Sequence, residues 1–370
     1  MSETRPDPRP TARRRLDPAT FQLPVERIRS GYYSDAYFNQ AKTTLEREGN
    51  EACVTMQVFQ RHNAMLEGID EALSVLRLCA GSELKADWQT GWDQLRVNAL
   101  HEGDTIEPWE AVMTIEGPYS LFAHLETVYL GCLARRTMVM RNVSAVVEAA
   151  NGKPIIFFPA RHDHWRVQTG DGWAAHVAGA IGVSTDAQAS WWGGRGLGTV
   201  PHSLIAAYGG DTVAAAEAFA RHFGDEVNVV VLVDFANDSV ETSLQVADAL
   251  GDQLWGVRLD TSDTLVDRSL WEDMGAFKPT GVNVALVQKV RDELNRHGHQ
   301  RVRIVASGGF DREKIESFER VGAAVDACGV GSALIAGEND FTADIVKVEG
   351  RPLAKVGRSF RPNPRLEPVD

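Results

Sequence analysis

The chain is short of cysteine, of basic charge and of long apolar runs. Only 4 of its 370 residues are cysteines (Cys53, Cys79, Cys132 and Cys328), and no two form a CxxC pair. That argues against a zinc knuckle or a dense disulfide framework and makes a reducing cytoplasm the expected compartment. No apolar run approaches the roughly 18 residues of a membrane-spanning helix. The N-terminus has charges with no apolar stretch behind them, unlike a secretory signal. Basic residues are outnumbered, 38 Lys and Arg against 51 Asp and Glu, for a formal net charge of −13. So acidic a chain repels phosphate backbones, which argues against nucleic acid or an anionic membrane as partner. An anionic ligand would have to be held by a local cluster of donors.

What is there is enough to bury a full core. The length, with 44% hydrophobic residues, predicts two domains or one barrel with additions. Residues 1–19 are rich in Pro and Arg and read as a flexible tail, or alternatively as a basic docking arm. From 20 to 140 the signals are mixed. "EACVTMQVFQ" and "EPWEAVMTIEGPY" read as strands, "GIDEALSVLRLC" as a helix, and "LFAHLETVYLGCLARRTMVMRNVSAVVEAA" as a long helical connection. Residues 338–370 read as strands again, with a hairpin turning at Gly350, and are expected to rejoin the first domain.

Between 141 and 337 the texture changes. Seven short apolar runs alternate with amphipathic segments, from "KPIIFFP" through "NVVVLVDF" and "LWGVRLD" to "VDACGVGSAL". Apolar strands without polar alternation imply a sheet buried on both faces. Strict βα alternation implies a parallel barrel or a doubly wound sheet. No Gly-rich dinucleotide loop opens the series, which favours the barrel.

Ligands of such barrels bind where strands end. After "IIFFP" come Arg161, His162, Asp163 and His164; after "GV" come Ser184, Thr185 and Asp186; after "GTVP" come His202 and Ser203. Asp234 follows "VVLV", Arg258 and Asp260 close "WGVRLD", Ser307, Gly308 and Gly309 follow "RIVA", and Gly329 and Gly331 lie in the last run. Tandem glycine loops at late strands suit a phosphate, which backbone N–H groups and a helix N-terminus can hold. Asp234 and Asp260 could cap helices, or hold ribose hydroxyls directly or through Mg²⁺. Arg161 and Arg258 could pair with a structural carboxylate or an anionic ligand. His162 and His164 could suggest a metal site with Asp163, but no further ligand stands at an obvious spacing. Trp191 and Trp192 read as packing residues.

Taken in order, these motifs resemble the nicotinate phosphoribosyltransferases, in their shorter archaeal and bacterial form. The likeness runs from about 27 to 358 through "SGYYSDAYF", "FFPARHDH", "GAIGVSTDA", "LGTVPHSLIAAYGGDTVAA", "VDFANDSVETSLQVADALG", "LWGVRLDTSD", "VASGGFDREKI" and "CGVGSAL". The resemblance implies an irregular, TIM-like parallel α/β barrel plus an N-terminal α+β sandwich domain. It implies transfer of phosphoribosyl from PRPP (5-phosphoribosyl 1-diphosphate) to nicotinate, with Mg²⁺, coupled to ATP hydrolysis through a phosphorylated histidine. His202 matches that histidine. Asp234 and Asp260 match the carboxylates that position ribose and Mg²⁺, and Arg161 and Arg258 match arginines on the pyridine carboxylate and phosphates. Phe158 and Tyr37 match aromatics that sandwich the pyridine. The tyrosine arrives from a neighbouring subunit, which implies a homodimer or higher oligomer with shared sites. Relatives that prefer nicotinamide carry aspartate where Ser184 stands, so a serine able to donate to a carboxylate points to the acid. The altered loops at 161–165 and 261–264 keep two alternatives in view: the same fold acting on quinolinate or nicotinamide, or a non-catalytic pyridine-nucleotide-binding paralogue.

Overall fold

The computed structural model describes residues 14–85, 87–275 and 277–370. They divide into two units, residues 14–141 with 337–370 in one and 142–336 in the other. The division falls inside the helix Glu126–Ala149, after Arg141.

Of the tail expected over 1–19, residues 1–13 lie outside the described residues. The remainder is anchored, contrary to the composition rule. The Arg15 guanidinium pairs with buried Asp70 at 2.9 Å, the Leu16 amide donates to the same carboxylate at 2.8 Å, and a 3-10 turn starts at Pro18. A Pro- and Arg-rich segment orders where a specific buried acid meets it.

The first unit is built on an antiparallel sheet. Cys53–Phe59 sits centrally between Ala111–Pro118 and Thr342–Val348, and Arg96–Ala99 pairs with Ala111–Pro118 on its other side. C-terminal segments supply both outer strands, Arg351–Pro352 and Glu367–Pro368. The hairpin between Val348 and Arg351 turns through Glu349 and Gly350, both at positive φ. Cys53–Phe59 is buried almost throughout, although its sequence alternates. Its polar residues are covered too: Gln57 Oε1 accepts from the Arg361 amide at 2.9 Å, and its Nε2 donates to the Arg361 carbonyl. The helix Ile69–Cys79 carries Ile69, Leu73, Leu76 and Cys79 into the same core.

The second unit is a ring of parallel strands in sequence order. Ile155–Phe157 pairs with Gly182–Val183. On the far side of the ring, Val229–Leu232 pairs with Leu254–Leu259, then Arg303–Ala306, then Ala327–Val330, which returns to Ile155–Phe157. The remaining gap is spanned by 197–200: the Leu197 amide donates to Val183 O at 2.7 Å and the Val200 amide to Val230 O at 2.9 Å. Val229–Leu232 and Ala327–Val330 are buried at every residue, as continuous apolar runs require. Helices Thr212–Phe223, Ser239–Leu250, Val284–Arg296 and Arg312–Arg320 follow the strands. Their caps are Asp211, Asp238, Asn283 and Asp311, each accepting from the third helical amide.

The loops leaving Val229–Leu232 and Leu254–Leu259 are tied together by Asp267. This fully buried carboxylate accepts from Ser239 N at 2.9 Å and Oγ at 2.7 Å, and from Ser269 N at 3.0 Å and Oγ at 2.7 Å. Asp267→Ala strands four buried or half-buried donors and is expected to cost about 3 kcal/mol. A urea midpoint equal to that of the unchanged protein would remove Asp267 from this role. Asp267→Asn, which keeps an acceptor oxygen, is expected to fall between the two.

Candidate active site

Where the strands of the second unit end, a cavity of about 670 Å³ opens. Arg258, the penultimate residue of Leu254–Leu259, is its hub. Its Nε donates to Ser307 Oγ at 2.8 Å, Nη1 to Thr199 Oγ1 at 3.4 Å and Nη2 to Asp260 at 3.3 Å. The guanidinium also lies 4.7 Å from the ring centroid of Phe158. Burial presses the Arg258 pKa down and the charge of Arg161 pushes the same way, while Asp260 and Asp234 hold it up. Three rigid, differently directed donors explain why this position takes arginine and not lysine. Arg161 is exposed on the same cavity and has no ion-pair partner among the described residues.

Two carboxylates stand close by. Asp260 Oδ1 accepts from Ser307 Oγ at 2.8 Å. Asp234, nearly buried, lies behind the lining and accepts from His202 Nε2 at 2.9 Å. Burial raises the Asp234 carboxyl pKa and the charge of Asp260 adds to that, while His202 opposes it. Neither residue caps a helix, since the four caps above are other residues. His202 opens the short helix His202–Ala207 after Pro201, and lines the cavity. A carboxylate beside Nε2 selects the tautomer protonated there, which leaves the lone pair on Nδ1.

Ser307, Gly308 and Gly309 form the turn before Arg312–Arg320, and Gly308 and Gly309 have φ of +83° and +66°. Left-handed backbone at two successive residues calls for glycine. Lys314 Nζ fastens the turn by donating to Gly308 O at 3.0 Å. Gly329 and Gly331 also line the cavity, and here steric room accounts for the glycine. A Cβ would lie 2.3 Å from the Phe158 ring at Gly329 and 2.8 Å from His162 at Gly331.

The cavity thus gathers Phe158, Arg161, Ser184, His202, Arg258, Asp260 and the glycine turns, with Asp234 one bond behind. Tyr37 belongs to the other unit, exposed on the helix Ala36–Arg47. Ser184 needs a correction as a donor to a substrate carboxylate, because its hydroxyl proton goes to Gln188 Oε1 at 3.1 Å. Asp186 does not line the cavity and accepts from the Gly196 amide at 2.8 Å. His164 and Asp163 serve their own turn, His164 Nδ1 accepting from Arg166 N and Asp163 Oδ1 from His164 N. Among the described residues no group of three or more His, Cys, Asp or Glu side chains is placed to hold a metal. No described helix is long and apolar enough to cross a membrane. Trp192 stacks on His176 at 4.3 Å, as a packing residue. Sequence reasoning missed Thr199, Gln188 and Lys314; Gln188 and Lys314 lie five and eight residues past strand ends, Thr199 lies in the bridging segment 197–200, and only those positions could have drawn attention to them.

Residues 35–137 match the family described as the N-terminal domain of quinolinate phosphoribosyl transferase. The nicotinate phosphoribosyltransferase pncB1 of Mycobacterium tuberculosis is 28% identical over 268 residues, which is 70% of this chain and 55% of that protein. The crystal structure titled nicotinate-nucleotide pyrophosphorylase from Pyrococcus furiosus is 33% identical, with a TM-score of 0.77 over 92% of this chain and 81% of that one. The chain belongs to the nicotinate phosphoribosyltransferase family. Human nicotinic acid phosphoribosyltransferase shares the family fold at 18% identity, with a TM-score of 0.66 over 87% of this chain and 76% of that one. The chain spans about half the length of the curated relatives it matches, 55% and 52% for the two Mycobacterium tuberculosis nicotinate phosphoribosyltransferases.

Proposed function

We propose that this chain transfers the phosphoribosyl group of PRPP to the ring nitrogen of nicotinate, giving nicotinate mononucleotide and pyrophosphate for NAD salvage in the cytoplasm. The supporting observation is one cavity lined by two arginines, a carboxylate-backed histidine and the Ser307–Gly309 turn. In the reaction the bond from ribose C1 to the pyrophosphate oxygen breaks and a bond from the pyridine nitrogen forms. The ribose centre is oxocarbenium-like between the two. The pyridine nitrogen has no proton to lose, so the site needs no strong general base. It needs charge on the leaving group neutralised and the weak nucleophile held in line. Arg161 and Arg258 supply planar cations for carboxylate and phosphate. The glycine turn ahead of Arg312–Arg320 offers amides to the 5-phosphate.

Asp234 and Asp260 are the carboxylates that would hold Mg²⁺, which when bound neutralises phosphate charge. Of the two, Asp260 lines the cavity and would meet the ion first, with Asp234 behind it on His202. Mg²⁺ takes one or two carboxylates and completes its shell with phosphate oxygens and water. For ATP coupling, Nδ1 of His202 attacks the γ-phosphorus, an N–P bond forms and ADP leaves. The Asp234–His202 contact holds the other nitrogen protonated. Tyr37 is proposed to reach the pyridine in a neighbouring copy, so the active form is a homodimer or larger.

The test gives the full-length protein PRPP and Mg²⁺ with nicotinate, quinolinate or nicotinamide, with and without ATP. Mononucleotide is followed by chromatography. Nicotinate is expected to react, and faster with ATP. Turnover of quinolinate alone, with release of CO₂, would move the reading to that acid. PRPP binding without turnover of any base would make the chain a binding protein. His202→Ala is expected to lose the response to ATP and keep a slow ATP-independent transfer. ATP stimulation equal to that of the unchanged protein would remove the phosphohistidine.

A further inference from the structure

Two hydroxyl side chains, Ser184 and Thr185, line one part of the cavity. Where their protons point is settled by backbone groups whose roles are not in doubt. Gln188 is buried, and its Oε1 accepts from Ser184 N at 3.0 Å and Thr185 N at 3.2 Å. Two amide N–H groups on one side-chain atom identify that atom as the oxygen. Ser184 Oγ, 3.1 Å from the same oxygen, can only donate to it.

The same logic fixes Thr185. Gln168 Nε2 donates to Ala160 O at 3.2 Å, which marks the opposite atom of that amide as its oxygen. Thr185 Oγ1 accepts from Gln188 N at 3.1 Å, so its single proton goes to Gln168 Oε1 at 2.9 Å. Both hydroxyl protons are therefore spent on glutamines behind the wall.

We infer that Gln188 and Gln168 make the Ser184–Thr185 wall acceptor-only, so that the cavity takes a pyridine monocarboxylate on its arginines and rejects a dicarboxylate whose second carboxylate meets this wall. This rests on the pyridine-base reading of the cavity given above. The free sites on these two oxygens are lone pairs, which repel a carboxylate and welcome a ring C–H or an N–H. The donors for the single carboxylate are the guanidiniums of Arg161 and Arg258. Discrimination then comes from an unfavourable contact built against the wrong acid. Gln188 and Gln168 are positioning residues, acting through the hydroxyls they hold.

Calorimetry of nicotinate and quinolinate, in the presence of PRPP and Mg²⁺, tests this on the full-length protein. The protein is expected to bind nicotinate at least about tenfold more tightly than quinolinate, the scale of one charged hydrogen bond. Ser184→Ala removes one set of lone pairs and is expected to shrink that ratio. Gln188→Met, which frees the Ser184 proton to turn inward, is expected to shrink it further. Gln188→Glu keeps the acceptor and should give a ratio no smaller than that of the unchanged protein. If Ser184→Ala weakens nicotinate and leaves quinolinate alone, Ser184 donates to the substrate and the inference is overturned. A ratio unmoved in Ser184→Ala overturns it as well, and this variant serves if Gln188→Met does not fold. Binding of neither acid by the unchanged protein would instead overturn the reading of the cavity as a pyridine site.

Discussion

Arg258→Ala is expected to lower kcat/KM for PRPP by at least about 100-fold, the scale set by removing one preorganised donor from a developing charge. The guanidinium does more than carry a charge. It joins three strand ends, through Ser307, Thr199 and Asp260, and covers Phe158. Its loss strips Asp260 of its cation and Ser307 Oγ of a donor, so the arginine proposed to hold substrate and the carboxylate proposed to hold ribose fail together. Arg258→Lys retains the charge but offers one compact ammonium for three divergent acceptors, and is expected to recover little of the activity. Steady-state kinetics with nicotinate saturating, beside a thermal melt of each variant, separates lost chemistry from lost fold. Activity of Arg258→Ala within tenfold of the unchanged protein would take Arg258 out of the reacting centre.

The barrel was legible because its physics is local. A strand buried on both faces must be apolar at every position, and Val229–Leu232 and Ala327–Val330 are. The residues on either side of such a strand's last position reach the cavity, which is how Arg258, just before Leu259, and Asp260, just after it, could be found by counting. What stayed hidden depends on partners far away in sequence. Arg15 is ordered by Asp70, 55 residues on. The polar face of Cys53–Phe59 is buried by Arg361, 304 residues beyond Gln57. Ser184 shows how a correct position can carry a wrong role. Its place on the cavity was readable, but the direction of its proton is set by Gln188, four residues later and on the far side of a turn. A hydroxyl's identity does not say whether it donates or accepts. Asp234 and Asp260 went the other way: capping was an open reading until Asp238 and other residues were seen to cap the helices.

The first unit should lose stability as the pH rises from about 6.5 to 8.5, and Glu67→Gln should abolish much of that loss. Glu67 is fully buried two residues ahead of helix Ile69–Cys79, with Glu102 beside it. Neither oxygen of Glu67, nor Oε2 of Glu102, has a well-aligned donor among the described residues, though the Gly68 amide and the Glu102 carboxyl lie near Glu67. Two facing carboxylates in that setting are satisfied when one holds a proton and donates it to the other. Burial is the main reason that the Glu67 pKa is raised to about 8. Burial, then the charges of Glu67 and Asp70, also carry Glu102 upward. The hydrogen bond with Glu102, then the Gly68 amide and last Arg136 pull Glu67 the other way, and Arg136 is itself bonded to Glu71 at 3.1 Å. The sign follows from the folded state keeping a proton that the unfolded chain releases above its value of 4.5. The stabilisation is complete below that value and is lost as pH rises through about 8, at up to about 1.4 kcal/mol per pH unit for one proton. His124 has the opposite sign. Burial lowers it to about 3 from 6.5, so it costs stability as pH falls below 6.5 and masks the carboxylate slope there. Above 6.5 the mask is gone, and Glu126, raised by burial to about 7, adds to the decline. Urea midpoints from pH 6 to 9 are the measurement. In Glu67→Gln the amide donates permanently to Glu102, so the profile should flatten, with the Glu126 share remaining, and the variant should be the more stable protein at pH 8.5. Superimposable profiles for the two proteins would mean that no proton is shared between Glu67 and Glu102.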